Sequence, residues 1–218
     1  MTATPLLYTL CAAAVDGRFP PARRENEAGR GLVGALLVQG ALDGRLEVLP
    51  ERVRLTRGGR PGDPPLCAFL DQLDTPFPRR AGAGRSPAER SPPDRSPADW
   101  VRDLGPWALT AVHPASRPAG RPAPHDRLRM RPGEAVRGVR TAVEGPDPAA
   151  IPAVAAGVLL VASGLHGTVW PDLPRAEASR RTLRSVAALG AAGAPIAAAA
   201  AAVSDSLTSL AATLAFPG

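Results

Sequence analysis

Lysine is absent from this 218-residue chain: all 26 basic residues are arginine. Aromatic side chains make up only 4 % of it. With aromatics so scarce, the core is expected to be built of small and aliphatic side chains, which favour closely packed helices. Cysteine is nearly missing too. Cys11 and Cys67 each sit among apolar neighbours, with no metal or redox spacing, and are read as buried small hydrophobes. The three histidines, His113, His125 and His166, lie far apart. No HExxH, GxSxG, Walker or GxGxxG pattern occurs. No catalytic residue, metal site or cofactor is therefore expected, and the chain is read as a non-enzyme. The N-terminus, MTATPLLYTLCAAAVDG, has no positive n-region, so a cytoplasmic location is expected.

What is abundant is proline and glycine, 48 of 218 residues, beside 44 % apolar residues. That combination reads as a folded protein carrying a disordered part. The net charge is +6, and its distribution is uneven. From Thr75 to Arg140 there are 13 arginines against 6 acids, so the remainder of the chain is slightly acidic. A basic middle third attracts nucleic acid or anionic lipid without specifying either.

Along the chain, Pro5 to Val15 reads as a short apolar helix and Arg18 to Gly29 as polar and irregular. The next stretch, RGLVGALLVQGALDGRLEVLPERVRL from Arg30 to Leu55, begins like a helix and ends like a hairpin. Leu32, Val33, Leu36 and Leu37 recur with a helical period, while Gly31, Gly34 and Ala35 let another backbone come close. Gly44 is placed to end the helix. Leu46 and Val48, then Val53 and Leu55, alternate with polar residues around a Pro50-Glu51 turn. Leu66 to Leu73 reads as a short helix, where Asp63, Asp71 and Asp74 are taken as capping and solvated residues.

Residues 74–99 contain RSP three times, from Arg85, Arg90 and Arg95, and cannot bury a face; a disordered, solvated insert is expected at 75–96. Ser96, Pro97 and Asp99 fit the cap, first and third positions of a helix carrying Trp100, Val101 and Leu104. Pro106, Pro114, Pro118, Pro122 and Pro124 are expected to break up the chain from there to Arg127. The last third reads as helical: Glu134–Val143, a long apolar helix over Ala149–Val169, an amphipathic helix over Arg175–Leu189, and an alanine-rich one over Ala191–Phe216 interrupted by Pro195. The apolar segment contains Pro152, Ser163 and His166. It is read as the central helix of a bundle, with His166 a packed core histidine, and not as a membrane span. The fold class expected is mainly α, a single-domain helical bundle over 1–218 with a surface β-hairpin.

In this order the elements resemble the Golgi phosphoprotein 3 family, in a bacterial, actinobacterial-type form. GLVGALLVQGALDGRLEV is similar to the family's glycine-containing helix that steps through A-L-x-G-R-[LI] into a strand. Gly62-Asp63-Pro64 before Leu66, Trp100-Val101-Arg102, and the pair of helices through Leu159, Leu160 and His166 and then Arg175 to Arg184 resemble its later motifs. The resemblance implies a helical bundle around the last apolar helix. It also implies a peripheral membrane adaptor that binds phosphatidylinositol 4-phosphate at a basic surface and holds protein cargo on another face. The family's lipid pocket uses a tryptophan ahead of the glycine helix and an arginine just before its second glycine. Here the approach is ARRENEAGR, and the residue before Gly34 is Val33. Where the family has two arginines three apart, this chain has only Arg117, and the counterpart of its apolar hairpin is the charged PHDRLRMRPGE. A degenerate lipid pocket is the expectation.

Arginine's planar fork holds phosphate oxygens in pairs. The candidates for an anionic lipid or phosphate are Arg23, Arg24 and Arg30, expected around the N-terminus of the glycine helix, and Arg137 and Arg140, three apart on one helical face. The expected partners are anionic phospholipid head groups, phosphatidylinositol 4-phosphate among them, together with an unidentified protein cargo. Attachment would be peripheral, on the inner face of the membrane, with a homo-oligomer strengthening it. A soluble protein-interaction module that has lost lipid binding stays open as the alternative. Nucleic-acid binding ranks below both, because exposed aromatics for stacking are lacking.

Overall fold

The computed structural model describes residues 21–56, 64–74, 95–112, 132–145 and 147–215. The expected helix at Pro5–Val15, Cys11, His113, Arg117, His125, the Gly62-Asp63 step and the PHDRLRMRPGE segment as far as Arg131 lie outside these residues. So does the expected insert, apart from Arg95 and Ser96.

Helix α1 runs from Pro21 to Leu42, so the stretch expected to be irregular is helical from Pro21 onward. The reason is partly local and partly its packing on helices distant in sequence. Proline fits the first helical turn, and Ala22 to Ala28 is a run of good helix formers with no breaker. Ala28 also joins Leu32, Leu36 and Val33 in the core. At the far end Gly44 takes φ +66°, which an L-residue adopts only with strain. Strands β1 (Leu46–Val48) and β2 (Val53–Leu55) come next, antiparallel, with Leu46 opposite Leu55 and Val48 opposite Val53. Leu49 and Arg52 close the turn around Pro50 and Glu51 with paired backbone bonds of 2.9 and 3.3 Å. Leu46 is tucked against Gly40, which anchors the hairpin on the end of α1.

Helix α2 spans Pro64–Asp74, and α3 spans Pro97–Val112. Ser96 and Asp99 cap α3 reciprocally: the Asp99 amide donates to Ser96 Oγ at 3.2 Å, and the Ser96 amide donates to Asp99 Oδ2 at 3.3 Å. Pro106 does not break this helix. The carbonyl it orphans belongs to Arg102, one turn earlier, and both residues are exposed, so water takes the place of the missing amide. Phe69 of α2 stacks on Trp107 of α3 with ring centroids 6.3 Å apart.

Helices α4 (Pro132–Glu144), α5 (Ile151–Ala162), α6 (Arg175–Ala188) and α7 (Ala194–Ala215) complete the order. The apolar helix is shorter than expected. Gly164, at φ +81°, stops it behind Ser163, and a turn of 3-10 helix comes after it at His166–Thr168. Twelve residues rise roughly 18 Å, against about 30 Å of hydrocarbon. Among the described residues no helix is long and apolar enough to cross a membrane. Pro195 lies in the first turn of α7, which it begins and does not interrupt.

Two helical triplets meet in the core. Helices α1, α3 and α7 pack on one another, α5 packs between α4 and α6, and α5 joins the triplets by touching α1 and α7. Val154 to Ser163 of α5 is buried throughout, Leu159 and Leu160 completely. The glycine helix reaches α5 and α7 at Gly34, where a Cβ would lie 2.7 Å from Leu159 Cδ2 and 2.9 Å from Val203 Cγ2. Gly34→Ala should therefore cost about 1–3 kcal/mol by overpacking. Gly138→Ala, at an exposed helical site with nothing within 4 Å, should instead stabilise by about 0.5–1 kcal/mol. Urea unfolding of the two variants measures both signs.

Candidate anionic-surface site

The five arginines expected at an anionic surface fall into three different environments. Arg23 and Arg24 lie in the first turn of α1. The backbone amides of that turn are the positive end of the helix dipole, which favours an anion. Arg137 and Arg140 are both exposed on α4. Arg140 also donates from Nε to the Val169 carbonyl at 2.6 Å, which holds its guanidinium in place. Less side-chain freedom then remains to be lost when it takes up a phosphate oxygen.

Arg30 is different. It lies in the third turn of α1, not at the helix N-terminus, and is only 4 % exposed. Its Nε donates to Asn26 Oδ1 at 3.2 Å, and its Nη1 donates to the Ser206 carbonyl of α7. Gly105 of α3 faces its stem, where a Cβ would come within 3.1 Å of Arg30 Cγ. Burial lowers its pKa, and the nearby charge of Arg102 lowers it further. Arg30 thus ties three helices together inside the bundle and presents no guanidinium at the surface. The helical period around Arg30 carried the warning, since Ala28, Leu32 and Val33 bracket it in the core. Val33, in the position before the second glycine, is itself fully buried.

The described residues hold 14 of the 26 arginines and 15 of the 20 acids, a net of −1. The positive excess of the chain therefore belongs to the sequence outside them. Within the framework, several arginines pair with acids. Arg102 pairs with Asp99 and Asp103, and Arg95 pairs with Asp103 at 3.2 Å while lying over the Trp100 ring at 5.1 Å. Burial opposes the charge on Asp99, but hydrogen bonds from Ser96 and Arg102 outweigh it and hold this carboxyl below the usual range. Helix α6, which carries Arg175, Arg180, Arg181 and Arg184 with Glu177, was not among the candidates. The signal was available in RAEASRRTLRSVAA, where four arginines stand against one acid.

Among the described residues no group of three His, Cys, Asp or Glu could hold a metal ion. Cys67, expected to be buried, is half-buried. His166 is half-buried as well, with an Nδ1 that is buried and lacks a hydrogen-bond partner. Burial pushes its pKa down, the Arg175 charge pushes it further, and a bond to the Gly164 backbone opposes both.

A sequence model described as Golgi phosphoprotein 3 (GPP34) matches residues 7–207. Searches of curated proteins and of solved structures give no match.

The His166 environment has a consequence for stability. Folding lowers the pKa of this imidazole, so the unfolded chain, which protonates it near pH 6.5, takes up the proton more readily. Its contribution is complete above that value and declines as the pH falls below it. Urea midpoints between pH 7.5 and 5.5 should fall in the wild type, and His166→Gln should flatten that decline.

Proposed function

The chain belongs to the Golgi phosphoprotein 3 family, and from that premise we propose that it is a non-enzymatic adaptor attached peripherally to an anionic membrane surface. The observation that carries this reading is the coincidence of family membership with arginine pairs on two helices: Arg23 and Arg24 in the first turn of α1, and Arg137 and Arg140 on α4. Phosphate oxygens are the ligands that such guanidinium pairs take best.

The attraction is loose. With Val33 in the core and Arg30 engaged by Ser206, neither position beside the helix's glycines offers a guanidinium to a shaped head-group pocket. The adaptor then binds anionic head groups generally, phosphatidylinositol 4-phosphate included, without strong preference for one. Each surface arginine is worth about 1 kcal/mol near such a membrane, and the effect decays within a Debye length. Three of them supply ~3 kcal/mol, which is marginal. Self-association or a protein partner would complete the attachment. The same internal engagement of Arg30 favours the second reading, a soluble interaction module that no longer binds lipid.

Co-sedimentation with vesicles of anionic and neutral composition separates the two. The wild type should pellet with anionic vesicles at low salt and less so at physiological salt. An Arg23→Ala, Arg24→Ala, Arg137→Ala variant should pellet less at either salt. Tight binding to phosphatidylinositol 4-phosphate alone, persisting at high salt, would contradict the loose attraction, and no binding to any vesicle would leave the soluble module.

A further inference from the structure

Helix α6 is built inside out. Its buried face consists of Ala178, Thr182, Ser185 and Val186. The two hydroxyls there are satisfied: Thr182 Oγ1 donates to the Ala178 carbonyl at 3.0 Å, and Ser185 Oγ reaches the Val143 carbonyl of α4 at 2.6 Å. The only leucine of the helix, Leu183, points the other way and is 58 % exposed, the highest value for a large apolar side chain among the described residues. A helix that needed this leucine for its own packing would have placed it against α5.

The outward face has a second property. Ala176, Arg180, Leu183, Arg184 and Ala187 are all exposed, and their spacing puts them on one stripe of the helix. Arg180 precedes the leucine by one turn and Arg184 adjoins it. Arg181, at the edge of the stripe, shares Glu177 with Arg180 at 3.1 and 2.7 Å. Counting its four arginines against Glu177, α6 carries +3. No other described helix or strand is as basic, and the described residues together stand at −1. The basic charge of the framework is therefore concentrated around its most exposed leucine.

From this juxtaposition we infer that the outer face of α6 lies on an anionic lipid bilayer, with Leu183 entering the head-group boundary and Arg180 and Arg184 holding phosphates on either side of it. The charge selects the occupant. A second copy of the same face would meet +3 with +3, which repels. Neutral lipid would leave the arginines without counter-ions. An anionic surface satisfies both parts of the stripe, because arginine stems lie along apolar surface while their heads stay at phosphate level. This inference rests on the peripheral-membrane reading and names the face that makes contact.

The test is co-sedimentation of the full chain with vesicles of phosphatidylcholine and 30 % phosphatidylglycerol, a composition chosen at roughly the charge density of an anionic leaflet. Arg180, Leu183 and Arg184 are all exposed, so variants at these positions should fold, and circular dichroism melts check that. Arg180→Gln, Arg184→Gln should weaken partitioning about thirtyfold at low salt, from about 1 kcal/mol for each arginine. Leu183→Asn should weaken it about fivefold while leaving its salt dependence intact, as expected for a half-exposed leucine going under the interface. If the wild type pellets and these variants match it while Arg23→Ala, Arg24→Ala is defective, α6 is not the contacting face and the membrane reading survives. If the wild type ignores vesicles, both are overturned; retention on a polyglutamate column in that case identifies an acidic protein as the partner of the stripe.

Discussion

A guanidinium in the middle of a helical bundle is the constraint on which the rest of this structure depends. Arg30 brings a charge into the junction of α1, α3 and α7, and burial lowers its pKa in consequence. An uncompensated ion there would be prohibitive. The compensation is a carbonyl from a helix 176 positions further along the chain, that of Ser206, together with Asn26 one turn earlier in α1. The contact requires α3 to come close without a side chain, and Gly105 supplies that gap. Once α1 is fixed against α3 and α7, Gly34 brings it onto Leu159, and the second triplet is positioned through α5. Packing density and hydrogen-bond satisfaction point to the same arrangement, as they must for a sequence to specify a single fold.

Much of this was legible in the sequence where one residue type has one physical use. Gly44 ending a helix, Pro50-Glu51 turning a hairpin and Ser96-Pro97-Asp99 starting a helix each rest on local chemistry, and each appears as expected. The mainly α class and the expected burial of Val154 to Leu165, which holds at every position but Gly164, came from the apolar run. What was not legible depends on partners distant in sequence. The polar appearance of Arg18 to Gly29 concealed a helix from Pro21 because its stabilisation comes from α3 and α7 as well as from its own composition. Pro106 looked like a breaker because its tolerance depends on which face meets water. Arg30 looked like a surface ligand because nothing near it in the sequence announces the Ser206 carbonyl.

The charge has a similar lesson. A net of +6 suggested a basic protein, yet the framework is close to neutral and slightly acidic. Most of its arginines are engaged by Asp99, Asp103, Glu177 or backbone carbonyls. Function must then be sought where arginines exceed their acidic neighbours, as they do on α6, and not in the overall charge. Arginine at the surface and arginine in the core are the same letter with opposite roles, and only packing separates them.

The claim that Arg30 belongs to the architecture and not to the lipid surface is the most direct to test. Urea unfolding of Arg30→Ala beside the wild type measures it, with vesicle partitioning of the folded variant alongside. Losing a buried, charged donor to Ser206 should lower stability by about 2–3 kcal/mol, while partitioning per folded molecule stays at the wild-type value. Unchanged stability together with lost partitioning would contradict the account and return Arg30 to the membrane.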